Sequence, residues 1–317
     1  MNKNKQLYHD FCETRTVPVF FQPWWLDAVC GESNWAVCLV QNKLGEIIAA
    51  LPYFKTKKWS IPIINQPKLT PHLGVWYADL DVEMSIDKRY SLEMKLMEEL
   101  LSKMPDAYYI SSNCLPKITN SLPFFWKGFQ VTTCYTFQLN SLKNKQQLFN
   151  NFKGSVRTEI RKSEKIFTFE KKESFDVFWQ LNQITFQNQG MNMPYSKAFF
   201  ENLDNILKNE NRREILSVKN KKGESVAVAY LLFDEKIAYY LAGGLNRKLD
   251  KNCAISFLIW KILEDLPSEI ETFDFEGSMN QSIATRFRSF GGGLVPYFHL
   301  TKSGNKFLDF LTKVWKG

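Results

Sequence analysis

Two stretches far apart in the chain alternate apolar and polar positions in the same way. Val37-Cys38-Leu39-Val40-Gln41-Asn42-Lys43-Leu44-Gly45-Glu46-Ile47-Ile48-Ala49-Ala50-Leu51 reads as strand, tight turn, strand, and Ile215-Leu216-Ser217-Val218-Lys219-Asn220-Lys221-Lys222-Gly223-Glu224-Ser225-Val226-Ala227-Val228-Ala229 reads likewise. At a constant offset of 178, Val40 matches Val218, Asn42 matches Asn220, Gly45 matches Gly223, Glu46 matches Glu224 and Ala49 matches Ala227. The shared turn has a physical reason, since a short hairpin needs positive φ, which Gly and Asn tolerate. After each hairpin comes a helix-length apolar pattern, over 92–104 and 254–266, and each stops at a proline, Pro105 and Pro267. Short strands are predicted next, at 107–111 and 272–276, and then further strands at 129–139 and 290–300, where the offset has fallen to 161. Four matched elements in one order make duplication a better explanation than chance.

The duplication predicts two units, 1–142 and 143–317, with the change at 140–145. The second unit opens on a charged segment, 143–172, with nine basic residues against three acidic ones. Leu148, Phe152, Val156 and Ile160 form an apolar stripe at helical spacing, and Lys153, Arg157, Arg161 and Lys165 form a basic stripe beside it. Arg157 and Arg161 are therefore candidate phosphate contacts, although a solvated helix face accounts for them equally well. Further helices are predicted at 175–187 and 197–207, and Pro23 opens an early one. The stretch 305–315 carries a helical apolar face, suited to packing on the second unit or to peripheral contact with a membrane surface.

Composition sharpens the picture in a few places. The chain has 317 residues and a net charge of +8, which favours an anionic partner such as a phosphate-bearing substrate, RNA or an anionic membrane. No run of 18 apolar residues and no apolar N-terminal segment is present, so a cytoplasmic location is expected. The six Cys lack C-x-x-C spacing and read as reduced and mostly buried. Only three His occur, and no metal-binding or Ser-His-Asp pattern stands out, so no metal is expected.

Each half thus reads helix, strand, hairpin strand, further strand, helix, strand, helix, strand. That order resembles the GNAT acyltransferase fold. Two copies in tandem are similar to the Fem-type aminoacyl transferases that build peptidoglycan cross-bridges, and to their acetyltransferase-like bacterial relatives. The resemblance is carried by Arg157-Thr158-Glu159-Ile160-Arg161-Lys162-Ser163-Glu164-Lys165, similar to the family's basic helix, and by four C-terminal stretches: Tyr239-Tyr240-Leu241-Ala242-Gly243-Gly244, Phe257-Leu258-Ile259-Trp260-Lys261, Phe273-Asp274-Phe275-Glu276-Gly277-Ser278 and Arg286-Phe287-Arg288-Ser289-Phe290-Gly291-Gly292. The helical arm of some Fem enzymes has no counterpart. The resemblance implies an α/β (α+β) protein of two tandem GNAT-like units, each a mixed sheet flanked by helices. It implies transfer of an acyl or aminoacyl group to an amine, with a phosphate-bearing cell-wall precursor as the candidate acceptor. No tightly bound cofactor is implied; aminoacyl-tRNA and acyl-CoA are the two candidate co-substrates, with tRNA a candidate partner.

In a GNAT unit the donor is gripped at the start of the central helix, where free N–H groups and the helix dipole suit a pyrophosphate. Here that segment is 246–256, which offers Arg247, Asn252 as a cap, and Ser256. The glycine-rich Q/R-x-x-G-x-G/A loop of coenzyme-A-binding members is absent, which counts against coenzyme A. In the first half the corresponding loop, 65–73, carries Pro67 and Pro71; with those N–H groups missing it suits shaping an acceptor cleft. Gly243 and Gly244 suit a bulge or the close approach of a ligand. Asp274 and Glu276 alternate with Phe273 and Phe275, so they share a strand face, and Glu276 is a candidate base for the amine. The plainer reading is a cap or a salt bridge to Arg286 or Arg288, and Arg286 is also a candidate binding residue. His72, in a Pro/Gly loop, is a weaker candidate base. Two further functions fit the same residues: a CoA-dependent acetyltransferase of a small amine, and a non-catalytic binding member of the fold. The chemistry is expected in the second unit.

Overall fold

The computed structural model describes residues 3–78, 84–250, 253–277 and 279–304. The chain forms two compact units, Met1–Cys134 with Pro296–Gly317, and Tyr135–Val295. Two strands carry it between them: one starts in the first unit and ends in the second, and the last strand makes the return passage. The sequence reading put the change at 140–145 and the last strand wholly in the second unit.

In the first unit the elements run α1 (Lys3–Thr14), α2 (Pro23–Cys30), β1 (Trp35–Gln41), β2 (Ile47–Lys58), β3 (Ile61–Asn65), β4 (Trp76–Tyr77), α3 (Ile86–Ser102), β5 (Tyr109–Asn113) and α4 (Leu122–Trp126). Then follow β6 (Gln130–Leu139), α5 (Lys145–Asn151), α6 (Gly154–Ser163), β7 (Thr168–Lys171), α7 (Phe175–Asn188), α8 (Lys197–Asn209), β8 (Arg213–Lys219), β9 (Ser225–Asp234), β10 (Ile237–Leu245), α9 (Ala254–Asp265), β11 (Thr272–Asp274), α10 (Gln281–Arg288) and β12 (Gly293–Ser303). The first unit's sheet runs β1-β2-β3-β5-β12, with β4 on β2, and the second unit's runs β6-β11-β10-β9-β8-β7. Each mixes one parallel pair, β3 with β5 and β10 with β11, among antiparallel ones. Among the described residues no helix is long and apolar enough to cross a membrane.

The matched hairpins agree bond for bond. Asn42 N–H donates to Glu46 O and Gly45 N–H to Asn42 O; Asn220 N–H donates to Glu224 O and Gly223 N–H to Asn220 O. In each turn the Asn Oδ1 accepts two further amides, those of Leu44 and Glu46 or of Lys222 and Glu224. Both hairpins also shift register at the same place, after Val40 and after Val218. Gly223 sits at φ 79°, with open space where a Cβ would go. Gly223→Ala therefore meets backbone strain alone, about 1 kcal/mol. Its urea midpoint is expected to fall slightly; an unchanged midpoint would show that the turn is not strained.

The apolar stripe of the charged segment is real, because Leu148, Phe152, Val156 and Ile160 are all buried in the second unit's core. The single helix expected there is broken, however. Phe152 and Lys153 are extended between α5 and α6, and the Lys153 amide donates to Ser289 O. Most of the first three turns of α9 is buried, as expected of a helix apolar on every side. That makes it the central helix on which the second unit's site is built.

Candidate active site

Strand β10 pairs with β11 over only three residues, Ile237 to Tyr239 against Thr272 to Asp274, while its pairing with β9 continues to Leu245. Beyond Asp274 the chain follows β6 instead, and the Phe275 amide donates to Phe137 O. The sheet therefore opens between β10 and β11, and a register shift between Tyr240 and Ala242 bends β10 at the same level. The two candidate carboxyl groups sit at the apex of this opening.

Asp274 is buried and fully occupied. Its Oδ1 accepts from Thr136 Oγ1 and, at 2.8 Å, from the Glu276 amide, and its Oδ2 accepts from Gln138 Nε2 at 2.8 Å. Burial raises the pKa of its carboxyl and these hydrogen bonds oppose the rise. Glu276 differs. Its Oε1 is buried with no hydrogen-bond partner among the described residues. Burial, and then the charge of Asp274, raise its carboxyl well above the ordinary range. The expected shared strand face is replaced by a turn: β11 ends at Asp274, and Glu276 and Gly277 adopt φ 57° and 46°. A glutamate at positive φ is strained. It is held there by the hydrogen bond that its backbone N–H donates to Asp274 Oδ1, and by Gly277, where a Cβ would lie 2.2 Å from Tyr135 O. Tyr239 borders the same opening; burial raises its hydroxyl, helped by Asp234, Asp274 and Glu276.

At the start of α9, Ser256 Oγ donates to Glu159 Oε2 at 2.5 Å and accepts from Arg286 Nη2, and Arg286 Nη1 is 3.1 Å from Glu159 Oε2. The Ala254 amide, first in the helix, donates to Asp250 Oδ1 at 2.8 Å. Two carboxylates thus lie at the start of α9, Asp250 on its first amide and Glu159 between Ser256 and Arg286. The plainer reading put an ion pair between the strand carboxylates and Arg286; the guanidinium pairs with Glu159 of α6 instead. Arg286→Gln would weaken the hold on the buried Ser256 hydroxyl and on Glu159. Since the pair is about a quarter exposed, a cost of only about 1 kcal/mol is expected from urea denaturation. No change at all would show that the network does not brace α9.

The remaining candidates are more scattered. Gly243 and Gly244 admit a helix where a ligand or bulge was expected. A Cβ on Gly244 would lie 2.4 Å from the Leu181 carbonyl carbon of α7, and the bulge lies earlier in the strand. Gly243 O accepts from Asn182 Nδ2 at 2.7 Å, completing that contact. Arg157 Nη1 donates to Asn150 O and Phe152 O, closing the end of α5, and exposed Arg161 lies over the Phe149 ring. Arg247 is exposed in the loop after β10. His72 belongs to the first unit, buried against Tyr297, its Nδ1 2.9 Å from Cys114 O. Burial lowers its pKa to about 4, so it is neutral at pH 7. Asn252 and the 305–315 face lie outside the described residues. Thr136, Gln138, Glu159 and Tyr239 join the site only in the fold. Thr136, Gln138 and Glu159 come from β6 and α6, whose register against β11 and α9 is set by pairings more than 90 residues apart in sequence.

Residues 150–281 match the acetyltransferase (GNAT) domain family, a span that holds Glu159, Ser256, Asp274 and Glu276. Among solved structures the chain is similar to FemX, at 15% identity and a TM-score of 0.62, covering 94% of this chain and 96% of that one. It is also similar to a tandem GNAT protein from the clavulanic acid biosynthesis pathway, at 10% identity and a TM-score of 0.54, covering 96% of each. A third likeness, at 11% identity and a TM-score of 0.55, is to the C-terminal domain of a putative lysylphosphatidylglycerol synthetase from Agrobacterium fabrum, covering 96% of this chain and 93% of that one. No curated protein matches the chain. Residues 150–281 of the second unit thus match a GNAT acetyltransferase domain, and the chain as a whole shares its fold with FemX and a tandem GNAT protein.

Proposed function

We propose that the protein transfers an aminoacyl group to the amine of a cell-wall precursor, with Glu276 taking the proton that the amine must lose. The carrying observation is the buried Glu276 carboxyl, unpartnered at Oε1 among the described residues, at the apex of the opening between β10 and β11. An ammonium ion cannot attack a carbonyl, so acylation needs a base at the nitrogen and hydrogen-bond donors at the developing oxyanion. A carboxyl raised by burial is a stronger base than an ordinary one and is better matched to an amine. Asp274 acts through position, fixing the Glu276 backbone. The edge of β10 left uncovered by β11 offers backbone amides to the donor carbonyl. FemX and the lysylphosphatidylglycerol synthetase support the aminoacyl reading by likeness of fold.

The start of α9 favours one donor over the other. Asp250 takes up the first amide of α9, and Glu159 with Arg286 takes up the Ser256 hydroxyl, so an aminoacyl-tRNA, whose reacting ester lies away from any pyrophosphate, is the better fit. A CoA-dependent reaction is the second reading, favoured by the match of residues 150–281 to an acetyltransferase domain. The two separate in one experiment, in which labelled alanyl-tRNA or acetyl-CoA is incubated with the protein and a UDP-linked muropeptide. Amide formed from alanyl-tRNA is the expected result. Amide formed from acetyl-CoA alone would establish the second reading, and none from either would refute both for this acceptor.

A further inference from the structure

One end of the first unit's sheet exposes large apolar side chains among lysines. The β2–β3 hairpin turns through Trp59 and Ser60 alone, at φ 49° and 68°. Such a two-residue turn selects Asn and Gly. A tryptophan at positive φ is strained, and this one is also 84% exposed. Neither the strain nor the exposure is offset by burial in the fold, as is common where a residue serves a contact outside it. Lys55 and Lys57 are exposed on the strand leading to the tip, and Lys58 lies over the Trp59 ring.

The second feature is α4. Three of its five residues are exposed and apolar: Leu122 at 49%, Phe125 at 67% and Trp126 at 57%, followed by exposed Lys127. Both features lie at the same end of the sheet. The Tyr108 amide donates to Pro62 O beside the hairpin tip, and Tyr108 O accepts from the Gly304 amide at the end of β12. Two residues before Gly304, Lys302 Nζ lies 5.3 Å from the ring of Phe129, which follows α4 across the Gly128 turn. Neither 54–63 nor 115–130 contains an acidic residue or an arginine.

We propose that this end of the first unit docks on an anionic lipid bilayer. Tryptophan and phenylalanine sit at the level of lipid headgroups, while lysines reach out to their phosphates. Leu122 and Phe125 gain nothing from a phosphate backbone but do gain from insertion among acyl chains. The lack of arginine, the usual partner of phosphates and stacked bases, argues against RNA. An open groove of about 550 Å³ beside the hairpin, lined by Lys55, Lys57, Pro62, Ile63 and Asp106 among others, is of the size that holds a small headgroup. The surface is independent of the proposed acyl transfer, though it would bring the protein to a lipid-borne acceptor.

Co-sedimentation of the full chain with phosphatidylcholine vesicles, with and without phosphatidylglycerol, tests the proposal. Binding is expected only to the anionic vesicles, and should weaken in high salt. Lys57→Glu with Lys58→Glu should weaken it about tenfold or more, since each lysine near an anionic surface contributes about fivefold. Trp59→Asn should weaken it by a similar factor, and asparagine is suited to positive φ, so the turn is kept. Phe125→Ser with Trp126→Ser, both exposed, should do the same. Failure to bind anionic vesicles would overturn the proposal. So would binding that all three variants leave unchanged, or retention of tRNA in place of vesicles with loss in the same variants.

Discussion

Glu276→Gln is expected to lower kcat for acyl transfer by about a hundred- to ten-thousand-fold, the usual contribution of a positioned proton acceptor. Glutamine keeps the size and the hydrogen-bonding capacity of the side chain but cannot accept the amine proton. The fold should not suffer. The Glu276 carboxyl is raised above its ordinary value near 4.5 by burial and by Asp274, so the folded chain holds that proton more tightly than the unfolded chain does. Stability from this group is present below about pH 4.5 and is lost as pH rises through the raised folded value. Glutamine, which does not titrate, removes that loss, so the variant should melt at an equal or higher temperature at neutral pH. Asp274→Asn is the companion: it keeps Oδ1 for Thr136 and the Glu276 amide but turns the acceptor at Gln138 into a donor. It should cost stability as well as activity. A Glu276→Gln protein with full activity would remove Glu276 as the base.

Gly244→Ala should be among the most damaging single substitutions in the second unit. A Cβ there would meet the Leu181 carbonyl carbon at 2.4 Å and the Asn182 amide nitrogen at 2.5 Å, both of them backbone of α7. No rotamer change relieves a backbone clash, so helix and strand must separate. Separation would break the Asn182 bond to Gly243 O and the Leu245 amide's bond to Thr185 Oγ1. A cost of about 3 kcal/mol is expected, at the upper end for overpacking. In urea the midpoint should fall well below that of Gly223→Ala, in which an added Cβ meets only open space. A midpoint equal to that of the parent would mean that α7 does not pack this closely on β10.

The hairpins show what was legible in the sequence. Asn42 to Glu46 and Asn220 to Glu224 specify their turns locally, through bonds spanning four residues, and these repeat atom for atom. The stripe of Leu148, Phe152, Val156 and Ile160 was legible for the same reason, a period within one stretch of chain. The break at Phe152 was not, because it depends on Ser289, more than 130 residues away. The site divides in the same way. Asp274 and Glu276 stood out as carboxylates on a predicted strand. What distinguishes them is Thr136 and Gln138 of β6, which occupy one carboxyl while the other has no partner at Oε1 among the described residues. Similarly, the missing glycine-rich loop argued against coenzyme A, but only the fold brings Glu159 to Ser256 and Arg286.

The most direct test of Glu276 as the base is the pH dependence of kcat/KM for the wild-type protein and for Glu276→Gln, with alanyl-tRNA as donor. The wild-type profile should show an acid limb above the ordinary carboxylate range, because burial and Asp274 raise the group that must be ionised. That limb should vanish in the variant along with most of the rate. An acid limb at the ordinary carboxylate position, or one that survives in Glu276→Gln, would contradict a role for Glu276 in taking the amine proton.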